Sequence, residues 1–161
     1  MTTLDFYRQL AQNLIQTAVV VATVSRVSGS VPREVGAKMI IFGQGDTHGT
    51  IGGGAGEAKV IQQAMGVLST GIAQPVEIDL SGAPQRPTEG ICGGQMQVWL
   101  APWSGIAAIA LVRKILAALE AGESAILVTP LTTTQRPYLV AVPPPPSPDA
   151  LVEILTPPPP C

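Results

Sequence analysis

Apolar residues recur at helical spacing from Leu4 to Gln16, where Phe6, Tyr7, Leu10, Leu14 and Ile15 fall on one side and Thr2 or Thr3 stands ready as the N-cap. The pattern predicts a first helix. Ala18 to Val27 is rich in β-branched residues and starts as an unbroken apolar run, so it predicts a central strand covered on both faces until it turns polar at Ser25 and Arg26. Lys38 to Phe42 and Thr47 to Ile51 predict two short strands, and Gly43-Gln44-Gly45-Asp46 between them has the composition of a hairpin turn. Glu57 to Thr70 predicts a helix with Val60, Ile61, Ala64, Val67 and Leu68 in one stripe and Gly71 as its stop. Val76 to Leu80 alternates apolar and acidic residues, and Met96, Val98 and Leu100 alternate with Gln95, Gln97 and Trp99, giving two more strands. Between them, Ser81 to Gly90 holds Pro84 and Pro87 and is a loop. Ile106 to Ala121 predicts a further amphipathic helix, with Val112, Ile115, Leu116 and Leu119 inward and Gly122 ending it. Ala125 to Thr129 and Tyr138 to Val142 read as final strands.

From Pro143 onward the chain holds nine of its sixteen prolines, which predicts an extended tail of polyproline character interrupted by an apolar segment around Leu151 to Leu155. The expected architecture is α+β (mixed α/β). It comprises one domain over residues 1–142, with a mixed sheet and about three helices, and a proline-rich tail over residues 143–161.

Composition narrows the function. A hydrophobic fraction of 46% in 161 residues suffices for a buried core, and 9 Lys+Arg against 11 Asp+Glu leave no basic field for nucleic-acid phosphates. The N-terminus lacks a basic segment leading into an apolar run, and Ala18 to Ala22 is far too short to span a bilayer, so neither export nor a membrane partner is expected. Two cysteines, one of them the terminal Cys161, make no disulfide framework; Cys92 reads as a reduced thiol in a cytoplasmic protein. His48 is the one histidine, which excludes multi-histidine zinc sites and leaves a Cys92–His48 dyad only if folding joins them; the expected hairpin position argues against that.

Glycines concentrate the candidate chemistry. Gly49 to Val60 leaves a strand and starts a helix through Gly52, Gly53, Gly54 and Gly56. Glycine permits positive φ and close approach of another group, and the first helical turn has amides without intrahelical partners, so this stretch is either an anion-binding loop or a tight turn alone. It lacks the Gly-Lys-Ser/Thr ending of a P-loop. Ile91-Cys92-Gly93-Gly94 offers an accessible thiol at the start of a strand, and Ser28-Gly29-Ser30-Val31-Pro32-Arg33 breaks regular structure after the first one. Arg33 suits bidentate contact with a phosphate, whereas Lys38, at a strand start, reads more readily as a surface charge. Glu57 either orients a bound group or simply complements the helix dipole, an effect of roughly 0.3–1 kcal/mol. Trp99 and Trp103 read as packing the edge of the core rather than stacking on a ligand.

Several of these segments, taken in order, resemble the XdhC/CoxI family, the xanthine dehydrogenase accessory proteins. Val20-Val21-Ala22-Thr23-Val24, then Ser28 to Arg33 and Gly36-Ala37-Lys38-Met39, look like the family's opening strand and its Gly-Ser-x-Pro-Arg loop. Gly49-Thr50-Ile51-Gly52-Gly53-Gly54 with Glu57 resembles its glycine-rich turn, and Ile91-Cys92-Gly93-Gly94 with Gln97-Val98 its Cys-Gly-Gly strand start. The agreement covers roughly residues 15 to 102 and, more weakly, 111 to 129.

The resemblance implies a cofactor chaperone rather than an enzyme: a protein that binds the molybdenum cofactor (molybdopterin) transiently and assists its sulfuration and insertion into a xanthine dehydrogenase-like molybdenum hydroxylase. The implied cofactor-binding set is Ser30, Arg33, Gly52, Gly53, Gly54, Glu57, Cys92, Gly93 and Gly94. Cys92 is the implied molybdenum contact or persulfide-bearing thiol, the molybdenum hydroxylase and a cysteine desulfurase are the implied partners, and a homodimer is compatible. Two departures matter. Many relatives continue into a Rossmann-type domain, so any activity needing one is expected to be absent here or supplied by another protein. Many also carry a cysteine where this chain has Ala55, which argues against chemistry requiring two thiols. Two other readings stand beside this one: a sulfurtransferase or hydrolase with Cys92 as nucleophile, and a non-catalytic adaptor between the desulfurase and its target.

Overall fold

The computed structural model describes residues 2–160. Its eleven elements run α1 (Thr3–Leu14), β1 (Val19–Ser28), β2 (Lys38–Ile41), β3 (Thr47–Gly49), α2 (Gly54–Thr70), β4 (Gln74–Asp79), β5 (Gln95–Trp103), α3 (Gly105–Glu120), β6 (Ala125–Pro130), β7 (Tyr138–Val140) and β8 (Ala150–Leu155). The class is α+β with three helices, as the periodicities predict, but the strands divide between two sheets. The chain forms two compact units, one over Val19–Pro102 and one joining the N-terminal segment up to Ala18 with the chain from Trp103 onward.

In the Val19–Pro102 unit the sheet order is β3-β2-β1-β5-β4, which puts the most apolar strand in the middle. β1 and β2 pair antiparallel from Val20↔Ile41 to Thr23↔Lys38, and β4 and β5 from Gln74↔Leu100 to Asp79↔Gln95. On one face Val20, Ala22, Val24, Met39, Ile41, Val76, Ile78, Val98 and Leu100 pack with Val60, Ala64 and Val67 of α2. Val19, Val21, Ile40 and Trp99, which alternate with those residues, are buried as well, so β1 is covered on both faces as its unbroken apolar run predicts. α2 can lie close to the sheet because Gly56 is buried in its first turn: a β-carbon there would stand 3.1 Å from Ile78 Cγ2. Gly71, in the left-handed conformation, ends the helix.

In the other unit α1 packs against α3. A capping box starts α1, with the Asp5 amide donating to Thr2 Oγ1 at 3.1 Å and the Thr2 amide to Asp5 Oδ2 at 3.2 Å. Leu4, Phe6, Tyr7, Leu10 and Leu14 are buried. Ile15, expected on the same stripe, is instead 69% exposed, because the helix ends at Leu14 and Ile15 is its C-cap. β6 lies between β7 and β8 in an antiparallel sheet, paired from Ala125↔Leu155 to Pro130↔Ala150 on one side. The apolar segment that interrupts the proline-rich tail is thus a paired strand, Ala150–Leu155. Its flanking prolines, Pro148 and Pro157, lie outside the paired residues, and Leu155 is buried. Cys161 lies outside the described residues.

Candidate functional site

β1 ends at Ser28, and from there to Arg33 the chain forms an exposed loop with Gly29 at positive φ. This loop touches both glycine turns. On one side, a β-carbon on Gly94 would stand 2.4 Å from the carbonyl oxygens of both Ser28 and Ser30, and one on Gly29 would stand 3.0 Å from the Gly93 carbonyl oxygen. On the other, a β-carbon on Gly52 would stand 2.6 Å from Pro32 Cγ. Residues of any other type at Gly29, Gly52 or Gly94 would force the three segments apart. Gly29 and Gly52 are thus required by space and by a positive φ, and Gly94 by space alone.

The Cys-Gly-Gly turn is a β-bulge. The Gly93 amide donates to the Leu80 carbonyl at 2.7 Å and the Leu80 amide to the Gly94 carbonyl at 2.8 Å, so two residues oppose one, with Gly93 at φ 99°. A matching arrangement sits at Gly36-Ala37 opposite Val24, where Gly36 has φ 96°. Ser25 Oγ, within hydrogen-bond distance of Gln97 O and Oε1, marks the same β1–β5 register that later brings Gly29 to Gly93. Gly94 is buried, while Cys92 and Gly93 are exposed and Ile91 is 88% exposed.

In the other turn Gly52, Gly53 and Gly54 all have positive φ, at 130°, 76° and 67°. Thr50 organises it: its hydroxyl accepts from the Gly52 amide at 3.1 Å and donates to Glu57 Oε2 at 3.3 Å. Glu57 thereby acts on the turn, and its carboxylate also complements the positive end of α2. Gly53 is the N-cap of α2 and has no side chain to accept from the first-turn amides. Those donors are left to solvent or a ligand. Arg33, exposed beside Gly52, has no ion-pair partner among the described residues. A concavity of about 400 Å³ opens on this loop, lined by Pro32, Arg33, Glu34, Val35 and Ala37.

Two sequence candidates fall elsewhere. Lys38 donates to Thr23 Oγ1 at 3.3 Å and so faces the sheet. His48 pairs across from Ile40, and Ile40 across from Val21, whereas Gly93 and Gly94 abut the far end of β1. Val21 and Ser28 are seven residues apart, roughly 23 Å in a strand, so His48 does not reach Cys92 and no dyad forms. No group of three or more His, Cys, Asp or Glu side chains among the described residues is arranged to hold a metal ion.

A charged cluster that no sequence motif announces lies next to the segment leading into the thiol turn. Lys59, in the second turn of α2, donates to Glu89 Oε1 and to the Glu77 carbonyl, both at 2.7 Å. Glu89 Oε2 accepts from the Asp79 amide at 2.8 Å, and its own amide donates to the Asp79 carbonyl at 2.8 Å. Burial pushes the Glu89 carboxyl up, but the hydrogen bonds from Lys59 and the Asp79 amide outweigh it and hold the group below the usual carboxylate range. Arg86 Nε donates to Asp79 Oδ2 at 2.6 Å, and with the hydrogen bonds from Ser81 it brings the Asp79 carboxyl to about 2.

No helix of the described residues is long and apolar enough to cross a membrane. Comparison with curated proteins finds no match. Among solved structures, the chain resembles one described as a xanthine dehydrogenase from Bacillus halodurans, with a TM-score of 0.82 and 21% identity over 98% of this chain and 53% of that one. At that identity the likeness is one of fold, and this chain spans about half the length of the matched protein. Residues 16–79 match the model of the XdhC and CoxI family, a stretch that ends before Cys92. The matched stretch runs from β1 through the Ser28–Arg33 loop and the first glycine turn to β4, and over it the chain is similar to the XdhC and CoxI family.

Proposed function

We propose that this chain is an accessory protein in the maturation of a xanthine dehydrogenase-like molybdenum hydroxylase, binding the molybdenum cofactor and assisting its sulfuration and insertion. The observation that carries the reading is the contact of one loop, Ser28–Arg33, with both glycine turns, the loop and the first of the turns lying within the stretch similar to this family. The donor set fits an anionic pterin phosphate: first-turn amides of α2 without a capping side chain, and the exposed guanidinium of Arg33. Ser30, Gly93 and Gly94 supply the adjoining wall, and Glu57 keeps the Gly52–Gly54 turn open through Thr50. Cys92 is the soft ligand, free and exposed, that meets the metal or carries a sulfur atom as a persulfide. When bound, the cofactor supplies the metal and dithiolene chemistry; the protein supplies orientation and release. Its working partners in this reading are the target hydroxylase and a cysteine desulfurase in the cytoplasm, and the chain acts as a chaperone rather than as an enzyme.

The test is equilibrium binding of molybdenum cofactor released from a purified molybdenum hydroxylase, compared between wild type, Arg33→Ala and Cys92→Ser. Near-stoichiometric binding by the wild type, weakened in both variants, is expected. Absence of binding by the wild type would overturn the proposal.

A further inference from the structure

We infer that Glu89, held by Lys59, is a positioning residue that fixes the Cys-Gly-Gly turn relative to the Gly52–Gly54 turn. Lys59 lies five residues beyond Gly54 on α2, and Glu89 lies three residues before Cys92, so their ion pair ties the helix that starts at one turn to the segment that leads into the other. The link is built at both ends. Glu89 Oε1 receives Lys59 Nζ at 2.7 Å while its Oε2 and its own amide bond the two main-chain groups of Asp79, and Lys59 spends a second hydrogen bond on the Glu77 carbonyl.

The geometry makes Glu89 more than a surface partner. Leu80 is hydrogen-bonded to Gly93 and Gly94, so the main-chain groups of Asp79 point to the opposite side of β4, where Glu89 takes them. Asp79 and Leu80 are thereby gripped from both sides, by Glu89 and by the bulge. The side chain of Glu89 is only 17% exposed and that of Lys59 40% exposed, which favours a defined geometry over a fluctuating surface pair. Loss of the pair loosens the segment between Leu80 and Gly93, which carries the thiol at its end. The clasp stands on geometry alone; its meaning for cofactor binding rests on the function proposed above.

The experiment uses the full chain in a Cys161→Ser background, so that iodoacetamide reports one thiol, together with amide hydrogen exchange over residues 79–94. Glu89→Gln and Lys59→Met are each expected to change the Cys92 alkylation rate at least five-fold and to speed exchange at Gly93 at least ten-fold. Lys59→Arg is expected to restore both. Lys59→Met leaves the two bonds between Glu89 and Asp79 in place, so the test does not depend on Glu89→Gln folding. Alkylation and Gly93 exchange within two-fold of wild type in Lys59→Met would overturn the inference. Faster alkylation in the variants of a protein that binds no molybdenum cofactor would support the clasp and refute the proposed function, which separates the two.

Discussion

Gly94 lies so close to Ser30 that a β-carbon on the glycine would stand 2.4 Å from the Ser30 carbonyl oxygen. The Ser28 carbonyl is equally near, and Val31 Cγ1 would be 2.8 Å away. Backbone on two sides cannot yield as the tip of a flexible side chain can. Gly94→Ala is therefore expected to cost about 3 kcal/mol, the upper range for overpacking, or to prevent folding of the loop altogether. Gly54→Ala makes the control: nothing lies within 4 Å, and the strain of a left-handed alanine is about 1–2 kcal/mol. Urea titration of the two variants should rank them in that order.

Gly52 combines both penalties, a φ of 130° and a site where a β-carbon would stand 2.6 Å from Pro32 Cγ. Gly52→Ala is expected to lose about 1–3 kcal/mol from backbone strain and, by displacing the Pro32 ring, to weaken binding of the molybdenum cofactor beyond what the stability loss explains. Binding measured well below the unfolding temperature separates the two effects.

Cys92 is exposed and has no disulfide partner among the described residues, so Cys92→Ser should leave stability within about 0.5 kcal/mol of wild type. Thermal unfolding checks that figure. Cofactor binding in the same preparation should fall several-fold; unchanged binding would remove the thiol from the site.

The Asp79 carboxyl is held at about 2 by the Arg86 hydrogen bond first and by those from Ser81 next, against an ordinary value of 3.8. The unfolded chain binds the proton more readily, so the contribution is present above about pH 4 and is lost as pH falls through about 2. Urea midpoints measured from pH 5 to pH 2 should drop less steeply for Asp79→Asn than for wild type. An equal slope would show that the pair has no part in acid unfolding.

Elements with a long period were legible in the chain, since Val60, Ala64 and Val67, or Val112, Ile115 and Leu119, can share a face only on a helix. The pattern starts α2 at Glu57 whereas the helix begins at Gly54, because three consecutive glycines carry no periodic signal. β8 was obscured by composition: its six residues stand between proline runs, and only their pairing with β6 identifies them. At the site, each glycine motif announced an unusual backbone, but whether the motifs meet depends on the partner chosen by β1. The register that sets Gly29 against Gly93 joins residues 64 positions apart, and no local pattern encodes it. Lys59 and Glu89 were unreadable for the same reason, each being an ordinary charge until the fold brings them together.

β4 is the last strand on its side of the sheet, and such a margin normally offers main-chain donors and acceptors to any extended segment that drifts near. Here the Asp79 pair is already occupied by Glu89 and the Glu77 carbonyl by Lys59. Glu89 and Lys59 thus occupy main-chain groups that an added strand would need at this margin.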